Sequence, residues 1–141
     1  MKQVIIKNEE DTREFGLVLA DSLKEGSIVA LIGDLGTGKT TLTKYIARGL
    51  GIEETITSPT FNIVKEYDSG RLPLYHFDVY RLTDPEDMYE LGYEEYFFGR
   101  GVSIIEWADM VRELIPEDAI IINIEYGSCE GERIYKIENY D

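Results

Sequence analysis

The run Gly33-Asp34-Leu35-Gly36-Thr37-Gly38-Lys39-Thr40 fits the pattern G-x-x-x-x-G-K-[ST] at every fixed position. Glycines let such a backbone curl so that successive N–H groups point inward at a phosphate. The positive end of the helix that follows adds to this field. Lys39 can reach the terminal phosphates as a point charge, and the Thr40 hydroxyl can ligate Mg²⁺. A plain glycine-rich turn carrying an exposed lysine is the competing reading. Lys44 and Arg48, further along the emerging helix, read as solvated charges.

A triphosphate site also needs a carboxylate for its metal, and in open α/β sheets that group comes from the carboxyl end of a neighbouring buried strand. Glu106 ends the cleaner apolar run and is the better candidate to hold Mg²⁺. Asp78 ends a more polar strand; it suits orienting or deprotonating a water, or standing behind the metal, with a turn role nearly as plausible. His76 alternates with Asp78 on one strand face and reads as a hydrogen-bonded structural residue. Trp107 follows Glu106 directly; packing is the simpler role, with stacking on a base or a partner as the alternative. Ser58-Pro59-Thr60 is a stiff hydroxyl-bearing loop suited either to sensing a terminal phosphate or to an ordinary turn.

The elements needed to position these groups are legible. Residues 4–6 form a short strand, and Asn8-Glu9-Glu10-Asp11 supplies a helix cap and an acidic first turn. Phe15, Val18, Leu19 and Leu23 recur at helical spacing, predicting about four turns with one apolar face, ended by Gly26. The continuous run Ile28-Val29-Ala30-Leu31-Ile32 is the mark of a strand covered on both faces. The glycine loop follows it, then a helix over 39–50 stopped by Gly49 and Gly51. Residues 61–67 and 72–78 flank Asp68-Ser69-Gly70-Arg71 as a hairpin, with Pro73 weakening the start of its second strand. Asp84-Pro85 opens short helical pieces reaching Phe98; 102–106 is a second buried strand; 108–114 is a helix closed by Pro116. Residues 119–124 and 133–138 form a terminal hairpin. Strand, tight loop, helix is the opening of an α/β fold, expected here as one domain over residues 1–141. Its sheet should be mostly parallel at the centre and flanked by helices, with antiparallel hairpins added.

Composition narrows the functions available. At 141 residues the chain suffices for one compact domain that buries roughly 70% of its unfolded surface. Lys and Arg total 14 against 28 Asp and Glu, a net charge of −14 that repels a phosphate backbone and argues against autonomous nucleic-acid binding. One cysteine, Cys129, cannot form an internal bridge, and one histidine excludes a multi-histidine metal centre. No apolar run approaches the length of a membrane span, and the first residues lack a signal-peptide pattern, so a cytoplasmic protein without membrane contact is expected.

With these residues in view, the chain resembles the TsaE family, small bacterial ATPases required for threonylcarbamoyl modification of adenosine in tRNA. The matching blocks are the phosphate loop through Thr41, Thr57-Ser58-Pro59-Thr60-Phe61, His76-Phe77-Asp78-Val79-Tyr80-Arg81, Leu91-Gly92-Tyr93-Glu94-Glu95 and Ile105-Glu106-Trp107. The resemblance implies a P-loop NTPase-like domain that binds and hydrolyses ATP·Mg²⁺. It assigns nucleotide contacts to Gly36, Thr37, Gly38, Lys39, Thr40 and Thr41, with Thr12 and Trp107 added. Thr40 and Glu106 become the magnesium ligands; Lys39, Asp78 and Glu106 become the catalytic set. It implies a complex with TsaB and TsaD in which the transfer reaction belongs to TsaD and tRNA is met only indirectly. A small-molecule kinase and a non-hydrolytic nucleotide-binding module are the rival readings that share the phosphate loop.

Overall fold

The computed structural model describes residues 2–59, 63–82 and 84–140. Strand β1 (Lys2–Ile6) leads into helix α1 (Glu9–Ser22), whose start is fixed by Asn8: its side chain accepts a 3.0 Å hydrogen bond from the Asp11 amide. Strand β2 (Ile28–Ile32), the glycine loop and helix α2 (Lys39–Gly49) follow. Strands β3 (Val64–Tyr67) and β4 (Leu74–Asp78) make the expected hairpin, with Pro73 just outside the second strand. The first residues predicted for that hairpin, Phe61 and Asn62, lie outside the described residues, as does Thr60. Helices α3 (Glu86–Glu90) and α4 (Tyr93–Phe97) precede β5 (Val102–Glu106). The helix predicted at Ala108–Leu114 is a 3₁₀ segment broken at Val111, where φ is −129°. Strands β6 (Ile120–Tyr126) and β7 (Arg133–Glu138) complete the chain as an antiparallel hairpin.

All seven strands join one sheet in the order β1-β7-β6-β2-β5-β4-β3. The four adjacent strands β6, β2, β5 and β4 are parallel, and antiparallel pairings flank them on both sides. The expected α/β architecture is therefore present. β2 lies between β5 and β6, and its apolar run is covered by a core on each face. Val29 and Leu31 face a core shared with Leu19, Leu42, Ile46 and Leu50, while Ile28 and Ala30 face a second core built on Phe77, Met88, Phe97 and Ile105. Helices α1 and α2 cover the first face; α3, α4 and the 3₁₀ segment cover the second.

The apolar face of α1 is the predicted one at Leu19 and Leu23, which are buried, and departs from it at Val18. Val18 is 61% exposed and Phe15 only partly buried, whereas Thr12, Gly16, Leu19 and Ala20 are buried. The contact with α2 is made through small residues: a Cβ on Gly16 would sit 2.7 Å from the Tyr45 Cβ, and one on Gly49 would sit 2.5 Å from the Ala20 Cβ. Gly49 is thus the last residue of α2 and a close-packing point rather than its stop signal. The left-handed residue that turns the chain is Gly51, with φ +84°.

Candidate functional site

The site forms where β2, β4 and β5 end together. Sheet register sets Leu31 opposite Glu106 and Asp78 opposite Glu106, so both acids stand beside the loop that leaves β2. In that loop Gly36 and Gly38 hold φ values of +83° and +98°, which glycine alone adopts without strain, and Gly38 is the residue from which α2 starts.

Two groups from distant parts of the chain meet on Thr40. Its hydroxyl donates to Glu106, 2.8 Å from Oε1 and 3.1 Å from Oε2. The Ser58 hydroxyl is 3.1 Å away; because the Thr40 proton is already committed, Ser58 is the donor there. Glu106 is buried at 2% exposure and accepts a second bond from His76, whose Nε2 lies 2.6 Å from Oε2. A carboxylate acceptor places the ring proton on Nε2, and His76 Nδ1 has no partner among the described residues. His76 is the hydrogen-bonded residue predicted, and its partner is the metal candidate itself.

Lys39 is buried and folded onto its own loop, donating to the Gly33 carbonyl at 2.6 Å and the Asp34 carbonyl at 3.0 Å. Its Nζ also lies 3.9 Å from the centroid of the Trp107 ring, a cation–π contact. Burial lowers the lysine pKa, and Glu106, Asp78, Asp109 and Asp34 oppose that shift by favouring the charge. Trp107 reaches this position through a left-handed backbone, φ +61° and ψ +38°, which is strained for so large a side chain. Tyr80 also packs on Trp107, with ring centroids 4.6 Å apart. Trp107 therefore both packs and faces the loop lysine.

Asp78 is half-buried. Desolvation raises its pKa and the neighbouring Glu106 charge adds to the rise, against the Tyr80 amide, which donates to Oδ1 at 3.1 Å. On the other side of the α2 N-terminus lies a cavity of about 400 Å³. Thr12 from α1, Thr37, Gly38 and Thr41 line it, together with Glu130, Arg133 and Tyr135 of the terminal hairpin. The predicted residues thus fall into two groups that meet at the loop: Thr12, Thr37, Gly38 and Thr41 around the cavity, and Lys39, Thr40, Asp78, Glu106 and Trp107 at the strand ends, with Gly36 in the loop between them and outside the cavity lining. A larger groove of about 590 Å³ holds Lys44 and Arg48 with Glu53 and Glu54 and contains none of the predicted site residues, in keeping with solvated charges.

The donor set suits a hard cation. Hydroxyl and carboxylate oxygens from Thr40 and Glu106 converge, with Ser58 next to them. Among the described residues no group of three or more His, Cys, Asp or Glu could cage a metal without help. That is the arrangement magnesium favours when substrate phosphates and water complete its shell. Sequence reading overlooked the terminal hairpin altogether as part of the site. Arg133 and Tyr126, which bond the loop from outside, carry no motif, and only the pairing of β6 with β2 brings them there.

The comparisons with known proteins identify the family. The family model described as "Threonylcarbamoyl adenosine biosynthesis protein TsaE" matches residues 6–134. A tRNA threonylcarbamoyladenosine biosynthesis protein TsaE from Bacillus subtilis is 48% identical over 84% of this chain and 73% of its own length. One of the same name from Treponema pallidum is 45% identical over 85% of this chain and 88% of its own. The crystal structure of Bacillus subtilis YdiB superposes with a TM-score of 0.80 at 40% identity, covering 96% of this chain and 83% of that one. On its fold, its motifs and these matches, the chain belongs to the TsaE family.

Proposed function

We propose that this protein is an ATPase that serves formation of threonylcarbamoyladenosine in tRNA, working in the cytoplasm with TsaB- and TsaD-type partners. The observation that carries the reading is the bond between Thr40 and Glu106, 2.8 Å long and 66 residues apart in sequence, at the mouth of a loop whose lysine is within reach. Backbone amides of residues 36–41 and the α2 dipole bind the phosphate chain. Lys39 exchanges two neutral carbonyls for phosphate oxygens, a stronger partner for an ammonium group. Thr40 and Glu106 would hold magnesium, which supplies charge neutralisation on the polyphosphate when bound. His76 keeps the Glu106 carboxylate aimed at Thr40. Asp78, a stronger base than an exposed aspartate because it is desolvated, takes a hydrogen bond from the attacking water. Thr12 and the cavity beside it receive the nucleoside. Helices α3 and α4 bury Met88, Tyr93 and Phe97 in the core, which favours hydrolysis over a kinase with a mobile acceptor lid.

Isothermal titration of the wild-type chain with ATP and Mg²⁺, beside Lys39→Ala, tests the reading. Binding by the wild type and its loss in the variant is the expected result, since a buried cation–phosphate contact is worth several kcal/mol, on the order of a hundredfold or more in affinity. Equal affinity in the two proteins would remove Lys39 from the site. Hydrolysis that does not rise on adding TsaB and TsaD would remove the partners from the proposal.

A further inference from the structure

A loop that turns its amides inward must turn its carbonyls outward, and each of those needs a donor. Here every carbonyl from Gly33 to Gly38 has one. Lys39 serves Gly33, and both Lys39 and the Thr37 hydroxyl serve Asp34. The Leu42 amide serves Gly38 from within α2. The three carbonyls at the centre are served by the terminal hairpin. The Tyr126 hydroxyl donates to Leu35 at 2.7 Å, Arg133 Nη2 to Gly36 at 3.3 Å, and Arg133 Nε to Thr37 at 3.1 Å.

Tyr126 ends β6, Arg133 begins β7, and the two are paired across the hairpin. The guanidinium stacks on the tyrosine ring, 4.8 Å from its centroid, and is fixed further by a bond from Nη1 to the Glu132 carbonyl at 2.9 Å. The Tyr126 hydroxyl is also the first atom a Cβ on Gly36 would meet, at 3.2 Å. The hairpin therefore lies directly against the back of the loop.

We propose that Arg133 and Tyr126 are positioning residues that hold the phosphate loop in its anion-binding shape before any ligand arrives. The inference rests on the reading of the loop as a phosphate site and extends it to two residues outside the motif. The physical reason is the behaviour of the other donors. Lys39 must share its three N–H groups between Gly33, Asp34 and an incoming anion, so its hold on the loop changes with the ligand. The bonds from Tyr126 and Arg133 to the three central carbonyls need not break when Lys39 turns, although Arg133 also borders the cavity beside Thr12. Arg133 also brings positive charge behind Gly36 and Thr37 in a chain of net charge −14.

The test is a titration of the full chain with ADP·Mg²⁺, comparing wild type, Arg133→Lys and Tyr126→Phe, with amide hydrogen exchange on the same ligand-free proteins. Lysine keeps the charge but cannot span two carbonyls. Arg133→Lys should bind about tenfold more weakly, with Tyr126→Phe losing less, as expected for the loss of one or two hydrogen bonds. Both should exchange faster at residues 35–38, while exchange in β2 stays as in wild type. A merely structural role would lower Tm and leave affinity below Tm unchanged. Arg133 also lines the cavity beside Thr12, so weaker binding in Arg133→Lys with wild-type affinity and exchange in Tyr126→Phe means direct ligand contact; that result, or unchanged affinity in Arg133→Lys with wild type binding normally, overturns the inference. A wild-type chain that fails to bind ADP·Mg²⁺ overturns the phosphate-site reading itself, and the inference falls with it.

Discussion

Asp78 is held where its ionisation is disfavoured, first by desolvation and then by the charge of Glu106. Its folded-state pKa lies above the unfolded value, so the native chain keeps the proton to higher pH than the unfolded chain does. The stability this adds is present below the ordinary aspartate range and is lost as pH rises through the raised value, leaving the carboxylate a burden at neutral pH. Asp78→Asn keeps an acceptor for the Tyr80 amide and removes the charge. Calorimetric scans should give a higher Tm than wild type at neutral pH, the gap closing in acid, while ATP hydrolysis drops roughly a hundredfold or more. A lower Tm at neutral pH would mean that the charge is well solvated or paired after all. The acids themselves were legible as strand-ending carboxylates. Their partners were not: His76 reaches Glu106, and Glu106 reaches Thr40, only through the register of β4, β5 and β2.

The helices teach the same lesson in a different form. Asn8 and the acidic turn marked the start of α1, and that start is where the cap bond lies. Apolar spacing then pointed to Val18 on the buried side, because periodicity weighs large residues and overlooks glycine. The α1–α2 contact is a close approach of backbones, for which Gly16, Ala20 and Gly49 are the suitable residues. Gly49→Ala tests this. Alanine gains about 1 kcal/mol of helix propensity over glycine, but its Cβ would lie 2.5 Å from that of Ala20. Overpacking of this kind costs about 1–3 kcal/mol, so urea titration should show net destabilisation. A gain in stability would mean that the two helices separate freely. A shift of α2 also moves the loop that starts it, so nucleotide affinity should weaken with the stability loss.

At the level of the whole molecule, a net charge of −14 on 141 residues surrounds the site proposed to bind an anion. Lys39, Arg133 and the α2 N-terminus supply local positive field against that background. The same excess repels itself. Raising NaCl from about 0.01 M to 0.15 M shortens the screening length from ~30 Å to ~8 Å and should raise Tm; a Tm that falls or stays level would mean that attractive ion pairs dominate. No helix among the described residues is long and apolar enough to cross a membrane. What the order of residues determined alone is whatever neighbours in sequence can encode: the phosphate loop, the doubly covered β2, the cap of α1, and an α/β succession of elements. Tertiary structure decided which carboxylate meets the Thr40 hydroxyl, why Trp107 takes a left-handed backbone beside Lys39, and that a hairpin nearly a hundred residues downstream braces the loop. Those contacts form only after burial has chosen strand order and register, and no local spacing records that choice.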